Sequence, residues 1–159
     1  MKITNYQAQD IDQLTAIWNT ILSDGMAFPG EDLYDSQSFA DYLADQDVVN
    51  VMRDGQEIVG YYLIHPNNIG RCSHVANASY CMNPAFRGQG HFRQLVAHSL
   101  ATARNLGYRG MQYNAVVSNN YAALRTYTQL GFTIVGTIPG GFRIKDGTYV
   151  DMYILYLDL

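Results

Sequence analysis

The chain has 159 residues, 48% hydrophobic and 15% charged, a size suited to one domain and a composition too apolar for wholesale disorder. Ten Lys plus Arg against 14 Asp plus Glu leave a net charge of −4, which offers no overall attraction to nucleic acid or to an anionic membrane. Two cysteines, Cys72 and Cys81, no charged-then-apolar leader and no apolar run of about 18 residues argue against secretion, a disulfide framework and a membrane span. A soluble, cytoplasmic protein is the expectation.

Residues 1–6 alternate and predict a short strand. Asp10 precedes Ile11, Leu14, Ile17, Trp18, Ile21 and Leu22, whose three-and-four spacing predicts an acid-capped helix stopped by Gly25. Residues 26–34, with Pro29 and Gly30 beside Glu31 and Asp32, have no period and read as a loop. A shorter helix follows, with Ser36 as its cap and Phe39, Tyr42 and Leu43 as its stripe. Strand patterns at 48–53 and 57–65 flank Asp54-Gly55, a dipeptide suited to a hairpin. A strand at 74–82 leads through Asn83-Pro84 and a glycine loop into a helix in which Phe92, Leu95, Val96, Ser99, Leu100, Ala103 and Leu106 repeat until Gly107.

A strand at 111–117, a helix at 120–130 ended by Gly131, and a strand at 132–137 complete most of the remainder. Residues 138–142 hold Pro139 and paired glycines, and Lys145-Asp146-Gly147 turns into a last strand at 149–157. The order β-α-α-β-β-β-α-β-α-β-β specifies an α/β fold on a mixed sheet, a single domain over residues 1–159 without internal repeats. The closing strand offers an edge for a homodimer.

Two segments carry chemistry. In Cys81-Met82-Asn83-Pro84-Ala85-Phe86-Arg87-Gly88-Gln89-Gly90-His91-Phe92 a strand runs into the start of the long helix. Amides at a helix N-terminus lack intrahelical partners and sit at the positive end of the dipole, so they are ready donors to phosphate. Gly88 and Gly90 clear space for a ligand, and Arg87 adds a cation that can fork to phosphate oxygens. The glycines alone fit a plain strand-to-helix turn equally well. The dinucleotide fingerprint fails, since Arg93 stands where its third glycine belongs, and the P-loop fails for want of Gly-Lys-Ser/Thr.

In the second segment, Asn120, Ala123 and Tyr127 share one helical face. A phenol there could give a proton or hydrogen bond to a departing group. Read alone, Tyr127 also fits a half-buried core tyrosine and Asn120 a cap.

Taken together, the two segments resemble the GCN5-related N-acetyltransferase (GNAT) superfamily over nearly the whole chain. Its pyrophosphate signature, Arg or Gln-x-x-Gly-x-Gly or Ala, is matched by Arg87 and Gly90, and its later pattern by Asn120, Ala123, Tyr127, Gly131 and Phe132. The resemblance implies a mostly antiparallel central sheet of about seven strands with about four helices, and acyl transfer from acetyl-coenzyme A to an amine. It implies that amides of Arg87, Gly88, Gln89, Gly90, His91 and Phe92 hold the pyrophosphate. Backbone of Cys81 and Met82, at a bulge, would hold the pantetheine arm and thioester carbonyl, with Asn120 and Ala123 along the coenzyme and Tyr127 facing its sulfur. Phe92 departs from the glycine or alanine usual beside the phosphates.

The small-molecule branch is the one most resembled. Phosphinothricin acetyltransferases carry a glutamate where Asn77 stands, and yeast acetyltransferases of proline analogues carry an asparagine on the fifth strand, as Asn114 does here. The acceptor pocket is expected from the loop at 26–34, with Phe28, Tyr34 and Phe142 as walls, Asn77 and Asn114 as catalytic residues that position the amine while a water carries its proton away, and Arg143 or Arg71 for a carboxylate. Cys81 as an acylated nucleophile is the lesser alternative to direct attack. His65, His74 and His91 read as polar or capping residues, and Cys72 and His74 lack a second pair at zinc spacing, so no metal is expected. The expected partner is a small-molecule amine, an amino acid or analogue. The alternatives are an acyl-coenzyme-A-binding sensor without turnover and an enzyme acting on peptide or protein amines.

Overall fold

A computed structural model describes residues 1–159. Seven strands, β1 (Lys2–Asn5), β2 (Val48–Asp54), β3 (Glu57–Pro66), β4 (Val75–Met82), β5 (Gly110–Val117), β6 (Thr133–Arg143) and β7 (Tyr149–Asp158), form one sheet in the order β1-β2-β3-β4-β5-β7-β6. All neighbours are antiparallel except β4 and β5. Four helices cover it: α1 (Ile11–Asp24), α2 (Ser36–Ala44), α3 (His91–Asn105) and α4 (Tyr121–Gln129). The α/β class, the mixed sheet and the element order agree with the sequence reading. No helix is long and apolar enough to cross a membrane.

Each face of the sheet has its own core. Leu14, Ile17, Trp18, Ile21 and Leu22 of α1 join Phe39 and Leu43 of α2 against Val51, Ile58, Tyr61, Leu63 and Cys81. Across the sheet, Leu95, Val96, Leu100 and Ala103 of α3 and Ala123 and Tyr127 of α4 pack on Tyr62, Ile64, Ala78, Tyr80, Met111 and Tyr113. Helices on both faces explain why β3 is buried from Ile58 to Ile64 without polar alternation.

Two caps differ from expectation. Asp35, not Ser36, caps α2: its Oδ1 accepts from the Ser38 N–H at 2.7 Å, while Ser38 Oγ accepts from the Asp35 N–H at 3.1 Å. Asp10 stands at the head of α1 but makes no cap bond. Its carboxylate instead takes both arms of Arg53, at 2.7 and 2.5 Å, and the Gln7 N–H at 2.8 Å. A bidentate ion pair outcompetes a single amide donor for the same oxygens.

The closing strand is not an edge. β7 lies between β5 and β6, and β6 is the edge strand on that side of the sheet, presenting Ile134, Val135 and Ile138 to solvent. β6 runs past the expected end at residue 137 and takes in residues 138–142: the register with β7 slips between Ile138 and Phe142, and the Gly140 N–H donates to Asp151 Oδ1 at 2.9 Å. An edge strand tolerates Pro139 because one side of it needs no partner.

Candidate active site

β4 and β5 pair only at their beginnings, Val75 with Gly110 and Ala76 with Met111. Beyond that point β4 stays on β3 as far as Met82 and β5 stays on β7 as far as Val117, so the sheet splits between them. A cavity of about 300 Å³ occupies the split. Its wall takes Phe92, Asn120, Ala123 and Tyr127 from the α3/α4 face and Ala27, Phe28 and Pro29 from the α1–α2 loop on the other. Two molecules approaching from opposite faces of the sheet can therefore meet in it.

The expected bulge at Cys81 and Met82 is absent. The β3–β4 register runs unshifted from Gly60 opposite Met82 to Pro66 opposite Ala76. What frees the edge of β4 is the departure of β5, and the bulge lies on β5, between Tyr113 and Val116, where it carries Asn114. β4 lines the cavity from Asn77 to Tyr80, and Cys81 lies outside that lining, fully buried in the α1/α2 core. Burial pushes the Cys81 thiol well above its ordinary value, which leaves it a poor nucleophile.

At the mouth of α3, Gly88 and Gly90 have φ of 77° and 81°, a left-handed backbone that glycine adopts without strain. The N–H groups of Gly88, Gln89 and Gly90 are taken by no backbone carbonyl, whereas that of Arg87 reaches Pro84 O at 3.4 Å. A Cβ at either glycine would meet nothing within 4 Å, so the turn is open above its amides. These residues fit an anionic diphosphate. His91, first residue of α3, is 8% exposed, and its Nδ1 has no partner. Arg87 lies 3.7 Å from Asp24 with both side chains about half exposed, a pair loose enough to give way to a stronger anion. Phe92 sets its ring edge-on to Tyr80 and Tyr127 at 5.8 and 5.7 Å and forms part of the cavity wall.

Asn120 caps α4, its oxygen accepting from the Ala123 N–H at 3.4 Å, which leaves its amide hydrogens free at the cavity. Tyr127 sits on the same face, 7% exposed, and no group of the chain hydrogen-bonds its phenol. Burial, reinforced by Tyr80, holds that phenol well above its usual value. It stays protonated at every working pH.

Asn77 and Asn114 face each other across the split, joined by a residue absent from the sequence reading. The Nδ2 of Asn77 donates to Asn67 Oδ1 at 3.1 Å and that of Asn114 to the same oxygen at 2.6 Å. Pro66-Asn67-Asn68 reads as an ordinary turn, and nothing local distinguishes it. Phe28 borders this cavity and packs at a tilt against Trp18, ring centres 4.7 Å apart. Tyr34 lies in an adjoining hollow of about 340 Å³ with Trp18, Tyr42 and Ser79, where the buried Trp18 Nε1–H has no partner. Phe142 lines a third hollow, of about 710 Å³, beneath Arg143. Arg143 is engaged with Glu31 at 2.8 Å, and Arg71 stands in the exposed turn before β4.

Comparison with known proteins gives a consistent picture. Residues 12–132 match the Acetyltransferase (GNAT) family. N-acetyltransferase aca1 of Schizosaccharomyces pombe is 35% identical over 98 residues, 61% of this chain and 47% of that protein. The L-methionine sulfoximine/L-methionine sulfone acetyltransferase of Salmonella typhimurium is 30% identical over 81 residues, 51% of this chain and 46% of that one. The chain thus spans about half the length of the curated relatives it matches. A GCN5-related N-acetyltransferase from Kribbella flavida superposes with a TM-score of 0.92 at 27% identity, over 99% of this chain and 97% of the other. A phosphinothricin acetyltransferase from Sinorhizobium meliloti, in complex with AcCoA, shares the fold, with a TM-score of 0.91 at 18% identity over 99% and 88%. The family match takes in α1 through α4 and the split between β4 and β5, and on it the chain belongs to the acetyltransferase (GNAT) family.

Proposed function

We propose that the chain transfers an acetyl group from acetyl-coenzyme A, by direct attack, to the amine of a small molecule, an amino acid or analogue. The observation that carries this is the cavity through the sheet, with the unpartnered Tyr127 phenol on one side and the asparagine cluster on the other. The S. typhimurium relative, by its name, acts on methionine sulfoximine and sulfone, which favours a small amino-acid acceptor.

Acetyl-coenzyme A supplies an activated acetyl thioester. The amides of Gly88, Gln89 and Gly90 and the Arg87 guanidinium bind its diphosphate, and the amide hydrogens of Asn120 contact its arm. Tyr127 donates a hydrogen bond to the departing sulfur. Even at ordinary values, full proton transfer from a phenol near 10 to a thiolate whose acid is near 8.5 is uphill by about 2 kcal/mol. The raised Tyr127 value widens the gap. Hydrogen bonding, not proton transfer, is its role.

The acceptor must attack as the neutral amine. An amine of pKa about 10.4 loses about 4.6 kcal/mol at pH 7 in supplying that form, and one near 7.8 loses only about 1. Asn77 offers no base, which suits an amine less basic than a lysine-like one, such as the α-amine of an amino acid, whose own carboxylate sets it between those two values, and leaves the proton to water.

The test measures free thiol released from acetyl-coenzyme A in the presence of amino acids, including L-methionine sulfone, polyamines and peptides, with mass spectrometry of the products. Thiol release with a monoacetylated amino acid is the expected result. Release only with peptides would redirect the assignment to protein amines, and silence across the panel would leave a coenzyme-binding module.

A further inference from the structure

Asn67 directly follows β3, and its own N–H donates to Val75 O at 2.8 Å, which fixes it beside the first residue of β4. Its Oδ1 then receives one hydrogen from Asn77 and one from Asn114. A carboxamide oxygen has two lone pairs, so a single atom spans two strands that have already parted. A carboxamide held by its nitrogen on one side presents its oxygen on the other. The Asn114 oxygen is taken by Gln112 Nε2 at 2.9 Å, whereas the Asn77 oxygen receives no donor from the chain.

We propose that Asn67 is a positioning residue: by bridging Asn77 and Asn114 it fixes both amides and leaves the Asn77 oxygen as the free hydrogen-bond acceptor that this cluster offers to the acceptor amine, a role that rests on the acyl-transfer reading above. The cluster is also uncharged. A carboxylate at this point would stabilise the ammonium form, which has no lone pair and cannot attack. A fixed amide oxygen holds an N–H of the neutral amine without that bias. The arrangement selects amines of low pKa and orients them rather than deprotonating them.

Steady-state kinetics test this with the amino-acid panel, L-methionine sulfone included. Asn67→Ala is expected to raise KM for the amine on the order of tenfold, about what one well-placed hydrogen bond contributes, with KM for acetyl-coenzyme A and the melting temperature unchanged because the cluster is half-buried to exposed. In an Asn77→Ala/Asn114→Ala background the same substitution is expected to add less than about twofold, because the groups it holds are gone. Asn67→Asp keeps the oxygen and adds a charge, so the inflection of kcat against pH moves upward. Equal losses in both backgrounds, or a fall in melting temperature with both KM values raised, would overturn the proposal and make Asn67 a loop anchor. A wild-type protein inert across the panel would remove the acyl-transfer reading itself, and this proposal with it.

Discussion

Tyr113 and Tyr127 lie with ring centres 4.7 Å apart, yet their phenols are in opposite situations. Ser99 Oγ donates to Val96 O at 2.7 Å, so it accepts from the Tyr80 hydroxyl at 2.7 Å, and Tyr80 in turn accepts from Tyr113 at 2.5 Å. The Tyr113 proton is committed to the core. Only Tyr127 keeps its proton for a ligand in the split.

Tyr127→Phe is therefore expected to lower kcat by about a hundredfold while KM for acetyl-coenzyme A moves by less than about twofold. Tyr113→Phe breaks the chain to Tyr80, so its expected cost is about 1 kcal/mol of stability, with kcat close to wild type. Stopped assays with acetyl-coenzyme A, beside urea titrations of both variants, separate the two tyrosines. A kcat unaffected by Tyr127→Phe would make Tyr127 a packing residue.

The pH profile follows from what the cavity lacks. With Asn77 and Asn114 in place of a carboxylate, kcat/KM is expected to rise with pH up to the acceptor's own pKa and then level off. No fall is expected near pH 10, because the Tyr127 phenol stays protonated there. Two acceptors differing by about one unit in amine pKa should give inflections separated by the same amount. An inflection between about 6 and 7 common to both would indicate an enzyme base.

Much of this fold is legible along the chain because its signals are local. The stripes of α1 and α3, the Asp54-Gly55 hairpin and the Gly88 and Gly90 turn each announce an element within about a dozen residues. What stays hidden depends on partners distant in sequence. Nothing near Tyr149 tells that β7 will be enclosed between β5 and β6. Nothing near Asp10 tells that Arg53, 43 positions away, will claim its carboxylate. Asn67 is the sharpest case within the site. Its role exists only once β4 and β5 bring Asn77 and Asn114 within reach of one oxygen.

The turn before α3 makes a separable prediction about the coenzyme. Gly90→Val forces a β-branched side chain into φ of 81°, a conformation costing such a residue about 1–2 kcal/mol. It should both destabilise the protein and weaken binding of coenzyme A. Arg87→Ala should leave stability unchanged, since its pair with Asp24 is half exposed. It is expected to raise the Kd for coenzyme A about fivefold in low salt and less at high ionic strength. Calorimetry at two salt concentrations distinguishes the contributions, and salt-independent binding by Arg87→Ala and wild type alike would deny the arginine a phosphate.

The Asp10–Arg53 pair should govern acid stability. Arg53 holds the Asp10 carboxyl below its ordinary value against the opposing effect of burial, the Asp10 side chain being only 4% exposed. A carboxyl whose folded pKa is depressed stabilises the fold fully above its unfolded value, near 3.9, and loses that contribution as pH falls through the folded value. Asp10→Asn should then cost about 2–3 kcal/mol at pH 7, since it strands a partly buried guanidinium. The gap between variant and wild type should shrink below pH of about 3. Urea midpoints at the two pH values measure it, and a gap that persists in acid would mean that packing, not charge, holds the strand to the helix.

Cys81 gives the test of direct attack. Its thiol is fully buried on the α1/α2 side, in contact with the Tyr61 hydroxyl, and desolvation pushes its pKa far above neutrality. A thiol so placed is protonated and screened from the cavity, and an acylated cysteine would need a thiolate within reach of the thioester. Cys81→Ala removes one sulfur from a packed core, so its expected cost is about 1–2 kcal/mol in stability, with kcat near wild type. Intact-mass spectrometry of the protein mixed with acetyl-coenzyme A alone should show no added acetyl group. A 42 Da adduct lost on Cys81→Ala, together with a collapse of kcat, would replace direct attack with a two-step route; an unmodified protein that still releases thiol once an amine is added leaves the acceptor nitrogen as the group that opens the thioester.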